Sequence, residues 1–214
     1  MLLEDFNGME FVFATETADA EALEPCMLTE AKCRPNWPSW EKAIEEELAT
    51  LKATGTWRLE DAPPGANVIG SKGVLKVKKD AAGNVVCYKA HLITQGFSQI
   101  SGVDYDDTYA PVAKLTSMHA IIAITNRLCM EMHQIDIKGA YLNSELNNNE
   151  VLFIQHPPGY KSPDAGTCVL RLIKTLYGLK QSGCRWYEKL SSVFDSLGFK
   201  QCAVDPVDVA NSIY

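Results

Sequence analysis

The chain has 214 residues, 46% of them hydrophobic, and a formal net charge of −7 at neutral pH. This composition can bury a sizeable core and excludes a disordered chain, and no apolar run reaches the roughly 18 to 20 residues that a membrane span requires. The seven scattered cysteines form no C-x-x-C pair and no targeting signal is seen, so the sequence predicts a cytoplasmic protein with free thiols and excludes a disulfide framework and a zinc site.

The negative charge is concentrated at the start of the chain. Residues 1–50 carry 12 acidic and 3 basic side chains, whereas residues 51–214 carry 15 acidic and 17 basic ones. Residues 70–95 hold five lysines against one aspartate, and residues 161–200 hold seven basic side chains against three acidic ones. Such patches can contact phosphates, but charge alone favours a solvated strand face and a solvated helix face.

The first predicted element is an amphipathic helix. Residues 1–35 show no firm periodicity and predict an acidic, disordered leader, with order beginning near Asn36. The stretch NWPSWEKAIEEELATLKATGTW then repeats apolar residues at helical spacing. Either Asn36 or Ser39 would cap the start of this helix, and Gly55 would end it.

The elements that follow mix strands and helices. The stretch GVLKVKKDAAGNVVCYKAHLI at 73–93 contains two β-prone runs with Gly83 between them, which predicts a hairpin that carries the first lysine cluster. Periodicity then predicts a helix at 115–128, a buried strand at 132–137, strands at 151–155 and 168–172, and a helix at about 180–197. This order is typical of an α+β protein.

One carboxylate stands in an apolar stretch, HQIDIKGAYL at 133–142. Asp136 lies at the end of the predicted buried strand, and an unpaired buried charge is costly. A metal ligand and a cap for a short helix beginning at Lys138 are both compatible with these residues. Taken by themselves, the residues favour the cap.

Five blocks of sequence lie in a fixed order between about Trp37 and about Asp205. They are WEKAIEEELATLKATGTWRL, YKAHLITQGFSQISGVDYDDTYAPVAKL, HQIDIKGAYLNSEL, FIQHPPGY and LIKTLYGLKQSGCRWYEKL. In this order they resemble the reverse transcriptase domain of copia-type LTR retrotransposon polyproteins. The resemblance implies that residues 36–205 form the fingers and partial palm of a right-hand polymerase, followed by a divergent end at 206–214. The palm sheet is expected to be antiparallel, with the strand that ends at Asp136 at its centre and helices packed on one face.

The resemblance also implies RNA-directed DNA synthesis, in which two Mg²⁺ ions help a primer 3′-hydroxyl to attack the α-phosphate of a deoxynucleoside triphosphate. Asp136 matches the family's first metal-binding and catalytic aspartate, and the backbone carbonyl of Ile137 is the metal ligand expected beside it. Gly139 and Ala140 match small residues that approach the incoming phosphates. Tyr141 matches the aromatic residue that excludes a ribose 2′-hydroxyl.

Other matched positions imply contacts with nucleotide and nucleic acid. The implied partners are an RNA template, a DNA primer, deoxynucleoside triphosphates, and the integrase and ribonuclease H regions of the parent polyprotein in a virus-like particle. For the lysines a solvated strand edge is the simpler alternative, and for LYGLKQ at 176–181 an ordinary start of a helix. The expected nucleotide-binding residues are Lys72, Lys89 and Gln181, and the expected template or primer contacts are Lys76, Lys78 and Lys180.

A Tyr-Asp-Asp string at 105–107 resembles the second catalytic motif of these polymerases. It lies before Asp136 and lacks flanking apolar strands, so it is assigned to a loop that leads into a helix. The genuine Tyr-x-Asp-Asp hairpin is expected shortly after GFKQCAVDPVDVANSIY at 198–214. Two of the three expected catalytic aspartates are therefore absent from the 214 residues.

The sequence departs from the family pattern at three further places. Gly73 stands where a tryptophan is usual, His91 replaces an arginine, and Ser182-Gly183 replaces Ala-Pro. A mostly neutral imidazole lacks the forked contacts that a guanidinium offers to a triphosphate. A decayed element and a gene shortened at its 3′ end would each explain these differences.

The sequence supports two functional hypotheses. The first is a fragment of a retrotransposon reverse transcriptase that is inactive as this chain alone. The second is a non-catalytic remnant that binds nucleic acid or a protein partner through the basic hairpin. A generic metal-dependent phosphotransferase ranks last, because the sequence has no P-loop and no second carboxylate pair.

Overall fold

The computed structural model describes residues 24–160, 166–201 and 209–210. Its helices are α1 (Leu28–Lys32), α2 (Trp37–Ala53), α3 (Leu115–Arg127) and α4 (Ser182–Ser196), with short 3₁₀ turns at Gly96–Ser98 and Ala140–Asn143. Its strands are β1 (Trp57–Glu60), β2 (Val68–Ile69), β3 (Ser71–Lys79), β4 (Val85–Thr94), β5 (Phe153–Ile154), β6 (Val169–Leu172), β7 (Lys200–Gln201) and β8 (Val209–Ala210). This mixture of helices and mainly antiparallel strands agrees with the predicted α+β class.

Helix α2 begins and ends where the sequence predicted. Asn36 is its N-cap residue, although the Asn36 side chain makes no capping hydrogen bond, and Gly55 follows the helix with φ +65°. Trp40 of this helix is fully buried, and its ring meets the Tyr88 ring edge-on with 4.7 Å between centroids. Helix α2 therefore packs on one face of the hairpin.

Strands β3 and β4 form the predicted hairpin and pair antiparallel from Ser71–Thr94 to Lys79–Val85. Residues paired across the two strands share a face, and alternate pairs point to opposite faces. One face buries Leu75 and Ala90 against helix α2. The opposite face, called the basic face below, consists of Lys72, Val74, Lys76 and Lys78 on β3 and Cys87, Lys89, His91 and Ile93 on β4.

A four-stranded sheet with the order β1-β6-β5-β2 forms the second layer of the fold. Strand β6 pairs antiparallel with β1 and with β5, but β5 and β2 are parallel. The sheet is therefore mixed, which corrects the prediction of an antiparallel sheet. Its core also includes residues of helix α2, the hairpin and the turn after Asp136. The buried members are Leu51, Ile69, Leu92, Leu142, Leu152, Ile154, Leu170, Leu172, Leu176 and Leu179.

The prediction of a buried strand at 132–137 is wrong. These residues follow helix α3 as an irregular, exposed segment in which Ile135 is 84% exposed. A strand requires a hydrogen-bonded neighbour, and none of the strands in the described ranges pairs with this segment. The expectation that a strand ending at Asp136 lies at the centre of the sheet is wrong for the same reason.

Helix α3 forms at the predicted place, but none of its residues is buried. The side chains of Met118, Ile121, Ile122 and Ile124 are between 45% and 53% exposed. A helix with this much apolar surface is ordinarily covered on several sides. None of the described helices, α3 included, is both long and apolar enough to cross a bilayer.

Both ends of the chain lie largely outside the described residues. Of the predicted leader at 1–35, residues 24–35 are described, and they contain helix α1 with Ala31 fully buried. Order therefore begins before Asn36. Of the predicted C-terminal end at 206–214, only Val209–Ala210 is described, where it pairs with strand β7.

Candidate active site

The turn that follows Asp136 is fixed by its backbone. Gly139 adopts a left-handed conformation with φ +59°, which glycine accepts without strain, and leads the chain into the 3₁₀ turn Ala140–Asn143. The backbone N–H of Leu142 donates to the carbonyl of Gly139 at 2.8 Å, and the Leu142 side chain is buried in the sheet core. Tyr141, one residue earlier, remains partly exposed.

This turn is joined to the segment that precedes helix α4. The Thr175 hydroxyl donates to the carbonyl of Tyr141 at 2.6 Å, and the Thr175 N–H donates to the carbonyl of Ser144 at 3.0 Å. The rings of Tyr141 and Tyr177 meet edge-on with 4.7 Å between centroids. The Tyr177 ring in turn lies 6.0 Å from the His91 imidazole, so Tyr177 connects the turn with the hairpin.

Tyr177 places two groups of predicted site residues next to each other. His91 lies on the basic face, two pairing positions from Lys72 on the same side of the hairpin. Tyr141 contacts the same Tyr177 ring from the turn. The sequence prediction missed Tyr177, although an aromatic residue beside Gly178 in the block LYGLKQ is the signal that could have identified it. Tyr177 is 41% exposed.

Asp136, the predicted catalytic and metal-binding residue, lies on the exposed segment before this turn, as does Ile137. The alternative role of Asp136 as a helix cap is wrong, because Gly139 is the N-cap residue and no side chain caps the turn. Within the described ranges, no group of three His, Cys, Asp or Glu side chains is arranged to hold a metal ion. These residues therefore do not fit a two-metal centre, which needs several carboxylates close together.

Gln181, predicted to contact a nucleotide, is fully buried and engaged inside the protein. Its Oε1 accepts from Nε2 of Gln99 at 3.0 Å, and its Nε2 donates to the carbonyl of Asp104 at 3.0 Å. Gln99 Oε1 in turn accepts from the backbone N–H of Lys180 at 2.8 Å. Gln181 therefore holds the segment 99–104 against the start of helix α4, and both ends of its amide have partners within the protein.

The lysines predicted to bind nucleic acid are all exposed, and two of them have local partners. Nζ of Lys180 lies 3.3 Å from the Tyr105 hydroxyl and 5.1 Å from the centroid of that ring. Tyr105 begins the Tyr-Asp-Asp string, which lies in the irregular segment before helix α3, as expected. Lys76 pairs with Glu24 at 2.6 Å, and Glu24 also accepts a hydrogen bond from the β3 backbone, so part of the acidic leader lies on the hairpin.

Helix α4 is anchored by Arg185, which the sequence prediction also missed. Its guanidinium donates to both carboxylate oxygens of Glu150, at 3.0 and 3.1 Å, and to Glu188 at 2.8 Å. The Arg185 side chain is 8% exposed and the Glu150 side chain 3%. Burial alone would lower the pKa of Arg185, but the hydrogen bonds that it donates to Glu150 and Glu188 outweigh burial and raise that pKa, so the arginine stays charged.

Comparison with known proteins gives consistent matches. A family model described as reverse transcriptase (RNA-dependent DNA polymerase) matches residues 54–207. The chain is 36% identical over 201 residues to the retrovirus-related Pol polyprotein from transposon TNT 1-94 of Nicotiana tabacum, which covers 94% of this chain and 15% of that protein. It is 30% identical over 167 residues to the retrovirus-related Pol polyprotein from transposon RE1 of Arabidopsis thaliana, and the match covers 78% of this chain and 11% of that protein.

A transposon of yeast contributes a further relative. The chain is 32% identical over 178 residues to the transposon Ty1-ER2 Gag-Pol polyprotein of Saccharomyces cerevisiae, covering 78% of this chain and 9% of that protein. No solved structure matches the chain. The chain thus spans about 15% or less of the length of these relatives.

Proposed function

Because the chain belongs to the reverse transcriptase (RNA-dependent DNA polymerase) family and its relatives are copia-type retrotransposon polyproteins, we propose that it forms the fingers and the first part of the palm of such a polymerase. Residues 36–205 make up this part. The β3–β4 hairpin corresponds to the fingers, and the four-stranded sheet with helix α4 corresponds to the palm. Residues 1–35 and 206–214 flank it as an acidic leader and a divergent end.

The observation that carries this proposal is the junction of the hairpin with the turn at Tyr177. A deoxynucleoside triphosphate bound there would meet Lys72 and Lys89 on the hairpin, while the amides of Gly139 and Ala140 approach its phosphates from the turn. The Tyr141 ring, held by Tyr177, would lie against the sugar. A lysine offers a point charge to a phosphate without the forked geometry of arginine, so this contact is weaker than an arginine would make.

The proposed partners are those of a polymerase within a polyprotein. An RNA template and a DNA primer would lie along the basic face and near Lys180, where exposed ammonium groups can neutralise backbone phosphates. Integrase and ribonuclease H regions would belong to the same polyprotein. We place nucleotidyl transfer with two Mg²⁺ ions in such longer proteins, because the described ranges form no group of three His, Cys, Asp or Glu side chains that could hold a metal ion.

The 214-residue chain is expected to extend no primer on an RNA template in the presence of Mg²⁺. A single carboxylate cannot offset the repulsion between two divalent cations, so the metal pair that the reaction requires should not form. A labelled DNA primer resolved on a denaturing gel measures extension, with a purified viral reverse transcriptase as the positive control. If the parent chain extended the primer and a folded Asp136→Ala variant did not, the prediction that the chain is inactive would be wrong. Circular dichroism shows whether the variant is folded.

A second candidate function is a remnant that binds nucleic acid without catalysis. The observation that favours it is the combination of an exposed Asp136, a described part of the chain that forms no three-residue metal cluster, and an intact basic hairpin. Both functions require the hairpin to contact phosphates. Neither function predicts primer extension by this chain alone, so the binding experiment tests what they share.

The double variant Lys78→Ala/Lys89→Ala is expected to bind a fluorescein-labelled RNA–DNA hybrid more weakly than the parent. Each lost phosphate contact should reduce the slope of log affinity against log salt by about 0.7 to 0.9. Fluorescence anisotropy between 50 and about 300 mM salt measures the slope. The matched control is Lys42→Ala/Lys52→Ala, which removes the same charge from the exposed surface of helix α2. Equal slopes for the two variants would show that the basic face is only a solvated strand surface.

A further inference from the structure

A cavity of about 550 Å³ lies between helices α1 and α2, the open end of the hairpin, where β3 begins and β4 ends, and the loop Pro157–Tyr160. Its volume falls within the range of about 300–1,000 Å³ that is usual for sites that bind small molecules. Neither Tyr141 nor Tyr177 lines it, although it shares Lys72 and His91 with the junction at Tyr177.

The floor of the cavity is apolar. It is lined by side chains of both helices and of the hairpin, and Leu75, Ala90 and Leu92 among them are buried in the two cores of the fold. The apolar lining residues from these elements are Leu28, Ile44, Leu48, Leu75, Ala90 and Leu92. A ligand on this floor would need a hydrophobic body.

Gly73 leaves the cavity open at the hairpin. It lies opposite Leu92 in the strand register and therefore on the same hairpin face as Leu75 and Ala90. A Cβ atom placed on Gly73 would meet no other atom within 4 Å. The strand thus presents bare backbone and free space where a side chain would otherwise fill part of the cavity.

Among the side chains that line the cavity, two are lysines and one is a glutamate, while Glu41 and Glu45 lie near enough to Tyr160 to affect its pKa. Lys32 and Lys72 line the cavity, and Nζ of Lys32 lies 5.6 Å from the centroid of the Trp37 ring. Glu47 also lines it, but Glu47 Oε1 already accepts the backbone N–H of Leu92 at 3.2 Å and lies 3.6 Å from Nδ1 of His91. An anion entering the cavity would therefore meet two ammonium groups and one carboxylate that has partners of its own.

Tyr160 adds a neutral hydrogen-bond donor to the same lining. Burial, together with the negative charges of Glu41 and Glu45, raises the pKa of the Tyr160 phenol. The hydroxyl therefore remains protonated at neutral pH and can donate to an oxygen atom of a ligand.

We propose that this cavity binds a small aromatic carboxylate, with its rings on the apolar floor beside Gly73 and its carboxylate near Lys32 and Lys72. A rigid planar body suits the site because it buries apolar area while losing little conformational freedom on binding. The charge of the lining selects an anion over a neutral or cationic ligand of the same shape. This binding shares Lys72 with the proposed nucleotide contacts, but it does not require the proposed role of Asp136 or Tyr141.

Calorimetric titration of the full chain with 2-naphthoate, and with the uncharged 2-naphthamide, tests the proposal. We expect saturable binding of the naphthoate, about 3- to 10-fold tighter than that of the amide, because a partly exposed ion pair contributes modestly to affinity. Lys32→Ala, on an exposed helix surface, should remove this preference without disturbing the fold. Equal affinity of the parent chain for both probes, or no binding of either probe, would overturn the proposal.

A second experiment tests the proposal by filling the cavity with a side chain. Gly73→Trp carries a large side chain into the open space and should weaken naphthoate binding at least about tenfold, since the ring then occupies the ligand's volume. Val74→Trp is the matched control, because Val74 lies on the opposite face of the same strand, and it should bind as the parent does. Undiminished binding of naphthoate by Gly73→Trp would place the ligand elsewhere and overturn the proposal. If Gly73→Trp does not fold, the comparison of naphthoate and naphthamide binding by Lys32→Ala decides the question.

Discussion

Arg185→Met is expected to lower the free energy of unfolding by about 3–5 kcal/mol, because it leaves the carboxylate of Glu150 buried without its cation. The two side chains are 8% and 3% exposed, so water cannot replace the lost partner. Urea denaturation followed by circular dichroism measures the change. The loss should be among the largest that a single side chain produces in this fold, since ordinary surface substitutions change stability by about 0.5 kcal/mol or less.

Two controls make this test specific. Arg58→Met breaks the pair with Glu60, in which the side chains are 56% and 33% exposed, and should cost about 1 kcal/mol or less. The double variant Arg185→Met/Glu150→Leu removes both charges and should recover much of the lost stability, because an apolar pair replaces a buried ion pair at little cost. If Arg185→Met were no more destabilising than Arg58→Met, the buried pair would not be formed in solution.

Gly178→Ala is expected to destabilise the protein by about 2–6 kcal/mol, the sum of two separate costs of about 1–3 kcal/mol each. Gly178 has φ +93°, a conformation that strains alanine. Its new Cβ would also stand 2.1 Å from the carbonyl oxygen of Thr94 at the end of strand β4. At this point the Thr94 N–H donates to the carbonyl of Tyr177 at 2.8 Å, so the substitution would force the hairpin away from the segment that carries Tyr177.

The matched control for this substitution is Gly65→Ala. Gly65 has a similar φ of +83°, but a Cβ there meets nothing within 4 Å, so only the backbone strain remains. Thermal denaturation should therefore show a clearly larger loss for Gly178→Ala. Equal losses would mean that strand β4 and the Tyr177 segment do not approach each other as closely as described.

The elements that could be predicted from the sequence are those whose hydrogen bonds are local. Helix α2 and the β3–β4 hairpin carry their own partners within a few residues, and Gly83 marks the turn between the strands. The segment at 132–137 has a similar β-prone pattern, but a strand needs a partner that its own sequence cannot supply. Periodicity therefore predicted the helix at 115–128 correctly and failed directly after it.

The candidate site likewise contains local features that the sequence could predict and burial that depends on distant residues. Gly139 is left-handed and Tyr141 is half-exposed, but their implied contacts with a nucleotide stay predictions. The burial of Gln181 and Arg185 could not be predicted, because it depends on contacts with Gln99 and Glu150, which are 82 and 35 positions away along the chain. Local pattern alone favoured Asp136 as a helix cap, and the structure excludes that role because the helical turn begins after Gly139.

Helix α3 is the part of this fold most relevant to its folding quality control and solubility in a cell. The exposed side chains of Met118, Ile121, Ile122 and Ile124 form an apolar surface. Chaperones bind surfaces of this kind, and quality-control proteases degrade the proteins that expose them. At high concentration such surfaces adhere to one another, so strong overexpression favours inclusion bodies. Abundance of the chain in vivo would therefore be set by turnover and solubility more than by the stability of its two cores.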